Sequence, residues 1–499
     1  MLLGLDGQGP RYAQITRALV ALIRRGALAP GSRAPATREL ARDLGCSRNV
    51  VLMAYEQLVL EGYFEPRERA GTFVALDLPQ VHPELGTGVR TGAGPVRVKA
   101  PLSARGRVVV RAAREAMAAI PRRPGCAIDF IYGLSEPDDR LLRELRRALS
   151  RPLRDRAFSY GHAAGDSALR EQISLRLRTA RGIARPSDQI VLTSGTQQAL
   201  DICARLLLGP GDRAIVEDPG YEVAAAAFLA AGARVHHVGV DRDGLDPARL
   251  PTGRHPARLV YVTPSHQFPT GAVLPAARRY ALLAWARRAR AYVFEDDYDG
   301  EFRFAGQPIP ALAGLDPEVV LYCGTFAKSL FPSCRLGYLV LPPALVEPAL
   351  RCKWLADRGS SRLVESALAE LFAAGHYDRH VRRMLRRYRA RRDALVRSLR
   401  QHLGGDAEIE GSSAGLHLVA WLKALHPDRV GDLVTACRQR GVGVYPLAPH
   451  AARPPKRAAL LLGYGLVDVS DIERGVCRLT DAYRQVRDSC RGQEPVEKL

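Results

Sequence analysis

The sequence predicts an α/β layered domain over residues 126–485, preceded by a small α+β domain over residues 1–76. In the longer part, short β-branched runs alternate with helix-period segments, which is typical of helices layered on a sheet. The first part contains three short amphipathic segments followed by two strand-like runs. Residues 77–125 are rich in proline, glycine and arginine and are predicted to form a basic flexible linker, and residues 486–499 a tail.

The composition is that of a folded protein with more than one domain. The chain has 499 residues, of which 47% are hydrophobic and 25% charged, and no apolar run is long enough to span a bilayer. The N-terminal residues lack the basic and apolar pattern of a secretory signal, so we expect a cytoplasmic protein without membrane contact. Nine cysteines without a CxxC pair argue against a disulfide framework and against a structural metal site.

The formal charge of +21 favours a polyanionic partner or a phosphorylated ligand, although charge alone is weak support in an arginine-rich chain. The linker contributes strongly to this charge, since Glu115 is its only acidic residue after Thr87. It is interpreted either as a solvated tether or as an additional contact to DNA phosphates. Its basic residues after Thr87 are Arg90, Arg97, Lys99, Arg105, Arg107, Arg111, Arg114, Arg122 and Arg123.

Three helices are predicted in the N-terminal domain. The first begins after Pro10 and ends at Gly26, and its apolar residues at helical spacing are Ile15, Leu19, Leu22 and Ile23. Thr37 is expected to cap the second helix and Ser47 the third, with Gly45 in the turn between them. This is the helix-turn-helix layout, in which the second helix of the pair enters the DNA major groove with its N-terminus. Arg48 and Asn49 are therefore predicted to face base edges.

Two short strands follow, at residues 63–66 and 71–74, and predict the β-hairpin of a winged helix-turn-helix. The ordered motifs PGSR, LARDLGCSR, AYEQLVLEG and GTFVA resemble the DNA-binding domain of the GntR superfamily. The resemblance implies operator DNA as partner. It implies DNA contacts by Arg33, Thr37, Arg38, Ser47, Arg48 and Gly71. Ala34, Ala36 and Asn49 depart from the residues common at their positions, which leaves the target sequence open.

The C-terminal domain carries candidate groups for an aldehyde-bearing pyridine phosphate. The loop before the helix predicted at residues 198–208 contains Gly195 and Thr196, and a helix N-terminus of this kind binds phosphate. Tyr221 follows a strand and could stack on a flat ring or pack in the core. Asp296 and Asp297 end a predicted strand, where one carboxylate could hold a pyridine nitrogen protonated or cap the next turn.

The next predicted strand, at residues 319–323, leads to Thr325 and Lys328 and then to Arg335. A lysine in an apolar turn loses its proton more readily and can attack an aldehyde. Arg335 could bind the phosphate with two hydrogen bonds, and Thr325 could donate a hydroxyl. The order of the elements is more specific than any single one of them.

These motifs resemble the fold-type-I aminotransferases, and specifically the MocR/GabR-type regulators, which fuse that domain to a GntR-like module. The motifs include TSGTQQALD, EDPGY, VTPSHQFPTGAVLP, FEDDYDGEFRF and GTFAKSLFPSCRLGYLVLP. The resemblance implies a mostly parallel sheet, a small C-terminal domain, a homodimer and pyridoxal 5′-phosphate (PLP) as cofactor. The implied contacts are Lys328 as the Schiff-base lysine, Asp296 on the pyridine nitrogen, Tyr298 on the ring hydroxyl, Tyr221 on the ring, Gly195, Thr196, Thr325 and Arg335 on the phosphate, His266 and Gln267 at the border of the cofactor, and Tyr160 on the neighbouring subunit's phosphate.

Three departures from the aminotransferase pattern bear on function. Phe268 stands where many aminotransferases have asparagine, and the strand at residues 458–464 has no arginine for a substrate carboxylate. After Tyr221 come Glu222 and Val223, so an arginine that some relatives use for an amino-acid effector is also missing. The nearest cations to the strand are Arg453, Lys456 and Arg457.

The sequence therefore favours a DNA-binding regulator that senses PLP itself, or an amine or amino acid that condenses with PLP. The alternative is an active aminotransferase with an accessory DNA-binding domain, and a sequence-independent DNA-binding role is a distant third. His376 and His380 have the spacing of metal ligands, but the arginines around them favour a solvated helix face, and no metal site is predicted.

Overall fold

The computed structural model describes residues 3–67, 70–78, 102–121, 125–154, 160–253, 257–306 and 310–491. Most of the predicted linker and the tail lie outside this range. The chain divides into two compact units, residues 1–100 and residues 101–499. No helix in the described part of the chain has the length and apolar character required to cross a membrane.

The N-terminal unit has three helices and a hairpin, as the sequence predicted. Its elements are α1 (Arg11–Arg24), α2 (Thr37–Asp43), α3 (Arg48–Leu60), β1 (Phe64–Arg67) and β2 (Gly71–Val74). The two strands pair antiparallel, with Phe64 opposite Val74. The predicted caps are only partly right: Ser47 occupies the N-cap position of α3 but its side chain makes no capping hydrogen bond, and Thr37 is the first residue of α2.

An eight-stranded sheet forms the centre of the second unit. Its neighbouring strands, in spatial order, are β4 (Ile190–Thr193), β11 (Gly337–Val340), β10 (Val320–Thr325), β9 (Tyr292–Asp297), β8 (Leu259–Val262), β5 (Arg213–Asp218), β6 (Arg234–Asp241) and β7 (Gly244–Leu245). The five from β10 to β6 run parallel, and the outer pairings are antiparallel. Five of these strands, β4, β5, β8, β9 and β10, coincide with short β-branched runs of the sequence.

Helices cover both faces of this sheet, which explains why its strands are almost continuously apolar. On one face, Leu192, Val260 and Val293 pack against α5 (Asp139–Arg154), α6 (Ser167–Arg181), α9 (Ala276–Ala289), α10 (Leu312–Leu315) and α12 (Arg362–Ala373). On the other face, Val191 and Phe294 pack against α7 (Thr196–Leu207), α8 (Glu222–Ala231) and α11 (Pro343–Asp357).

The small domain is built on a second sheet. Its antiparallel strands are β12 (Ala407–Glu410), β13 (His417–Leu422), β16 (Ala458–Gly463) and β15 (Tyr445–Pro446), and a separate parallel pair joins β3 (Ile128–Asp129) to β14 (Val442–Gly443). Three helices pack with these strands around the second core: α13 (His376–Leu403), α14 (Val430–Gln439) and α15 (Val469–Arg491). The Arg-rich stretch at residues 379–400 is thus helical. His380 is fully buried on this helix, and its Nε2 lies 2.9 Å from the Ser329 carbonyl oxygen. The prediction of a solvated helix face is therefore wrong at His380.

One helix lies within the stretch predicted as a flexible linker. Residues Ala104–Ala119 form α4, capped by Ser103, whose hydroxyl accepts a hydrogen bond from Gly106. Its small residues Ala112, Ala116 and Ala119 are buried, and α4 packs against α8. The prediction of a linker is therefore wrong for these residues, because an alanine stripe among arginines provides a narrow face that can dock on another helix.

Candidate functional site

The candidate cofactor site is a cavity of about 560 Å³ at the carboxyl ends of the parallel strands. This is where open α/β sheets bind ligands. The cavity wall contains eight of the residues that the sequence assigned to the cofactor, and the structure brings them together from five segments of the chain. These residues are Gly195, Thr196, Tyr221, Asp296, Tyr298, Thr325, Lys328 and Arg335.

Lys328 lies in the loop after β10, and its Nζ donates a hydrogen bond to the Gly133 carbonyl oxygen. Burial lowers the pKa of this ammonium, and the nearby carboxylates of Asp299 and Asp296 oppose the shift only in part. A lowered pKa increases the fraction of unprotonated amine at neutral pH. The amine that the sequence assigned as nucleophile therefore lies on the cavity wall with a lowered pKa, which favours attack on an aldehyde.

Asp296 ends β9 with its side chain on the cavity wall. Its Oδ2 accepts a 2.8 Å hydrogen bond from the Tyr261 hydroxyl, and its buried Oδ1 has no partner within the described residues. Burial raises the pKa of this carboxyl to about 7. A buried oxygen without a partner is costly, so it fits a ligand that brings a donor such as a protonated ring nitrogen.

Asp297 has a different role because successive residues of a strand point to opposite faces. Its Oδ2 accepts hydrogen bonds of 2.6 Å from Arg181 and 2.6 Å from Tyr322. The ambiguity between the two aspartates is thus resolved by the strand geometry. Asp296 faces the cavity, and Asp297 stabilises the packing of α6 on the sheet.

The phosphate end of the site is formed by the start of α7 and by Arg335. Gly195 precedes the helix with a φ of 90°, a conformation that favours glycine, and a Cβ built there would lie 3.9 Å from Arg335 Nη1. The first N–H groups of a helix have no partner within the helix and bind anions. Thr325 ends β10 and also lines the cavity. The residues present fit a phosphate monoester.

Three predicted residues, Gln267, His266 and Tyr160, are not on the cavity wall of their own chain. His266 is buried behind Tyr298: its Nδ1 lies 2.9 Å from Asp299 Oδ2 and 3.0 Å from the Tyr298 hydroxyl. It orients the tyrosine and would not contact the cofactor itself. Tyr160 is 81% exposed and stacks against Arg358, with the guanidinium 4.7 Å from the ring centre.

Sequence reasoning missed an aromatic group on the cavity wall. The rings of Phe268 and His450 are 4.9 Å apart, those of Phe268 and His417 5.7 Å, and those of Phe268 and Tyr132 5.9 Å. We call Tyr132, Phe268, His417 and His450 the aromatic wall. These residues come from four distant segments, so only the unusual Phe268 gave a signal in the sequence.

The cavity also includes the end of the unpredicted helix α4. Ala116, Ala119, Ile120 and Pro121 line it together with Lys328. A bound molecule in this cavity would therefore touch the segment that leads, along the sequence, toward the N-terminal unit.

His450 makes the stability of the second unit dependent on pH. Burial lowers the pKa of its imidazole to about 4, whereas an unfolded histidine titrates near 6.5. Below about pH 6.5 the unfolded state binds more protons than the folded state, so the free energy of unfolding decreases as the pH is lowered. The expected loss is about 2 kcal/mol between about pH 7 and about pH 5. His450→Gln should reduce this loss, as measured by denaturant unfolding at both pH values; an unchanged pH dependence would contradict the assignment.

The candidate DNA interface lies in the N-terminal unit. Arg33, Arg38, Ser47, Arg48, Asn49 and Gly71 are exposed, and Thr37 is half-buried. Arg48 Nε donates a 3.4 Å hydrogen bond to Thr37 Oγ1, which joins the starts of α2 and α3. Gly71 has a φ of 108°, and a Cβ there would lie 3.1 Å from Arg33 Nε, so the hairpin turn needs glycine to accommodate the arginine. The contacts of these residues with DNA stay a prediction.

Comparisons with known proteins match both units. Residues 133–457 match the family described as aminotransferase class I and II, and residues 11–74 match the gntR family of bacterial regulatory proteins. The chain is 35% identical to the probable rhizopine catabolism regulatory protein MocR of Rhizobium meliloti, covering 100% of this chain and 98% of the relative. It is 34% identical to the HTH-type transcriptional regulator TauR of Rhodobacter capsulatus, covering 96% of this chain and 97% of the relative.

Among solved structures, the kynurenine aminotransferase of Pyrococcus horikoshii superposes with a TM-score of 0.66 at 25% identity. The match covers 75% of this chain and 94% of the aminotransferase chain, whose structure was determined with PMP and kynurenine as substrates. The likeness confirms the predicted fold of the second unit. The curated relatives match over nearly the whole chain, and so include both units.

Proposed function

The chain belongs to the MocR-type helix-turn-helix transcription regulators, which join a GntR-family domain to an aminotransferase-like domain, and on this premise we propose that it binds PLP at Lys328 and senses PLP or an amine that condenses with it. The observation that best supports this proposal is the set of residues that line the cavity. The cavity places Lys328 and Asp296 beside the end of α4, the described helix that leads along the sequence toward the DNA-binding unit.

PLP supplies an aldehyde that condenses with primary amines and a ring that withdraws electrons once its nitrogen is protonated. The residues of this chain would hold it in defined ways. Asp296 Oδ1 would accept a hydrogen bond from the protonated ring nitrogen, and the Tyr298 hydroxyl would donate one to the ring oxygen. Arg335 and the start of α7 would bind the phosphate. Tyr221, whose pKa burial raises to about 12, stays a neutral ring suited to stacking.

Coupling to DNA would pass through α4. Because α4 contributes Ala116, Ala119 and Ile120 to the cavity, a bound amine that extends from the cofactor would contact the helix and favour one of its positions. The shift in DNA affinity is limited by the difference in the amine's affinity for the two arrangements. Tyr160 is exposed and does not line the cavity of its own chain, which further supports a homodimer in which this tyrosine reaches the PLP phosphate bound by the partner subunit.

The test uses the full-length protein and an operator selected from random DNA by the wild-type chain. We expect PLP, alone or with one member of a panel of amines and amino acids, to change operator affinity or footprint, and a mass measurement to show a dimer. Identical DNA binding under all conditions would contradict sensing. Steady conversion of PLP to its aminated form by an added amino acid would instead support the alternative of an active aminotransferase.

A further inference from the structure

The part of the cavity that PLP would leave free is lined by aromatic and apolar side chains. The rings of the aromatic wall contact one another through Phe268. Tyr132 of this wall also belongs to an apolar cluster that contains Leu461 and Val419 of the small domain. Ile120 adds a further apolar side chain from α4. This surface suits a hydrophobic or aromatic group.

Charges in the described wall do not favour a second anion. Its two cations are Lys328 and Arg335, and both are assigned to PLP. Burial lowers the pKa of His417 well below its usual range and that of His450 to about 4, so both rings are neutral at neutral pH. Glu222 also lines the cavity, and burial together with Asp218 raises the pKa of its carboxyl.

The cations near the C-terminal strand are directed elsewhere. Arg457 pairs with Glu408 at 2.5 Å and stacks on Trp421, while Arg453 and Lys456 are exposed and outside the cavity wall. Leu461 stands within that strand with its side chain fully buried in the apolar cluster. The described cavity wall thus provides no cation for the carboxylate of an amino acid beyond the two assigned to PLP.

A carboxylate moved from water into such a wall would lose its hydration without gaining a partner, which is strongly unfavourable. A ligand without that group avoids the cost and still gains from burial of its apolar surface. The cavity would therefore bind amines without a carboxylate more tightly than amino acids.

We propose that the effector is a primary amine with an apolar or aromatic body and no carboxylate, an assignment that rests on the proposed function. In the exchange, the amine nitrogen bonds to the cofactor's aldehyde carbon and the bond from that carbon to Lys328 Nζ breaks. The two hydrogens that the amine nitrogen loses pass to Lys328 Nζ, which becomes a free amine, so no oxidant or reductant is needed. Phe268 and Tyr132 determine the specificity by contact with the body of the amine.

The test compares matched pairs of ligands on the PLP-loaded, full-length protein. 2-Phenylethylamine is compared with L-phenylalanine, and 3-methylbutylamine with L-leucine, by the concentration that gives half of the change in PLP absorption. We expect the amines to act at concentrations at least roughly tenfold lower. Equal or stronger binding of the amino acids would overturn the assignment, and would leave PLP sensing standing.

A variant adds the missing charge. Val223 is half-buried on the cavity wall, and Val223→Arg should shift the preference toward the amino acid of each pair, whereas Val223→Met should not. A preference that Val223→Arg leaves unchanged would overturn the electrostatic argument. If neither member of any pair changes the absorption of bound PLP, both this inference and amine sensing fail, while PLP binding itself is retained.

Discussion

Lys328→Ala is expected to remove all covalent attachment of PLP and to leave basal DNA affinity within about twofold of the wild type. Lys328 is the one lysine of the described cavity wall, and the methyl group of alanine cannot attack an aldehyde. The DNA-binding unit has its own hydrophobic core, formed by residues such as Ile15, Val51 and Leu58, so its fold does not depend on Lys328. The measurement is borohydride reduction in the presence of PLP followed by mass spectrometry, with operator binding measured in parallel.

The matched control is Lys456→Ala, because Lys456 is exposed and lies outside the cavity wall. This variant should retain the mass of reduced PLP on the protein. The assignment of Lys328 is wrong if its alanine variant still carries the added mass. The modular interpretation is wrong if that variant, although folded by circular dichroism, no longer binds DNA at all.

Arg48→Ala is expected to weaken binding to the selected operator by about 5- to 150-fold, since a good contact from arginine to a base contributes about 1–3 kcal/mol. Arg48 is exposed at the first turn of α3 and is held near Thr37 by a hydrogen bond of 3.4 Å. Its position at the helix start is where recognition helices contact bases. Fluorescence anisotropy with operator and with random DNA of equal length measures the change in specificity.

The comparison variant is Arg25→Ala, which removes an exposed arginine that follows α1 and is not part of the predicted interface. It should weaken binding to operator and random DNA by similar, small factors. Should Arg48→Ala lower both affinities equally, Arg48 would contact phosphates and not bases, and base recognition would have to come from other residues.

Much of the architecture could be predicted from the sequence because it depends on local patterns. The short β-branched runs at β5, β8, β9 and β10 indicated the strands of an α/β layered fold, and the spacing of Ile15, Leu19 and Ile23 indicated α1. Helix α4 was missed because its signal is only a stripe of alanines within a basic stretch, and such small side chains form a weak apolar face. The cap by Ser47 was wrong in detail because the orientation of one hydroxyl depends on the surrounding backbone.

The sequence by itself determined the family, the two units and the order of the groups that would hold PLP, since each of these follows from motifs that are contiguous in the chain. The tertiary structure alone decided how the remaining cavity is lined. It separated Asp296 from Asp297, placed His266 behind Tyr298, and brought Tyr132, His417 and His450 to Phe268. The physical reason is that specificity depends on contacts between residues hundreds of positions apart, whose proximity is set by the packing of the two sheets and appears in no local pattern.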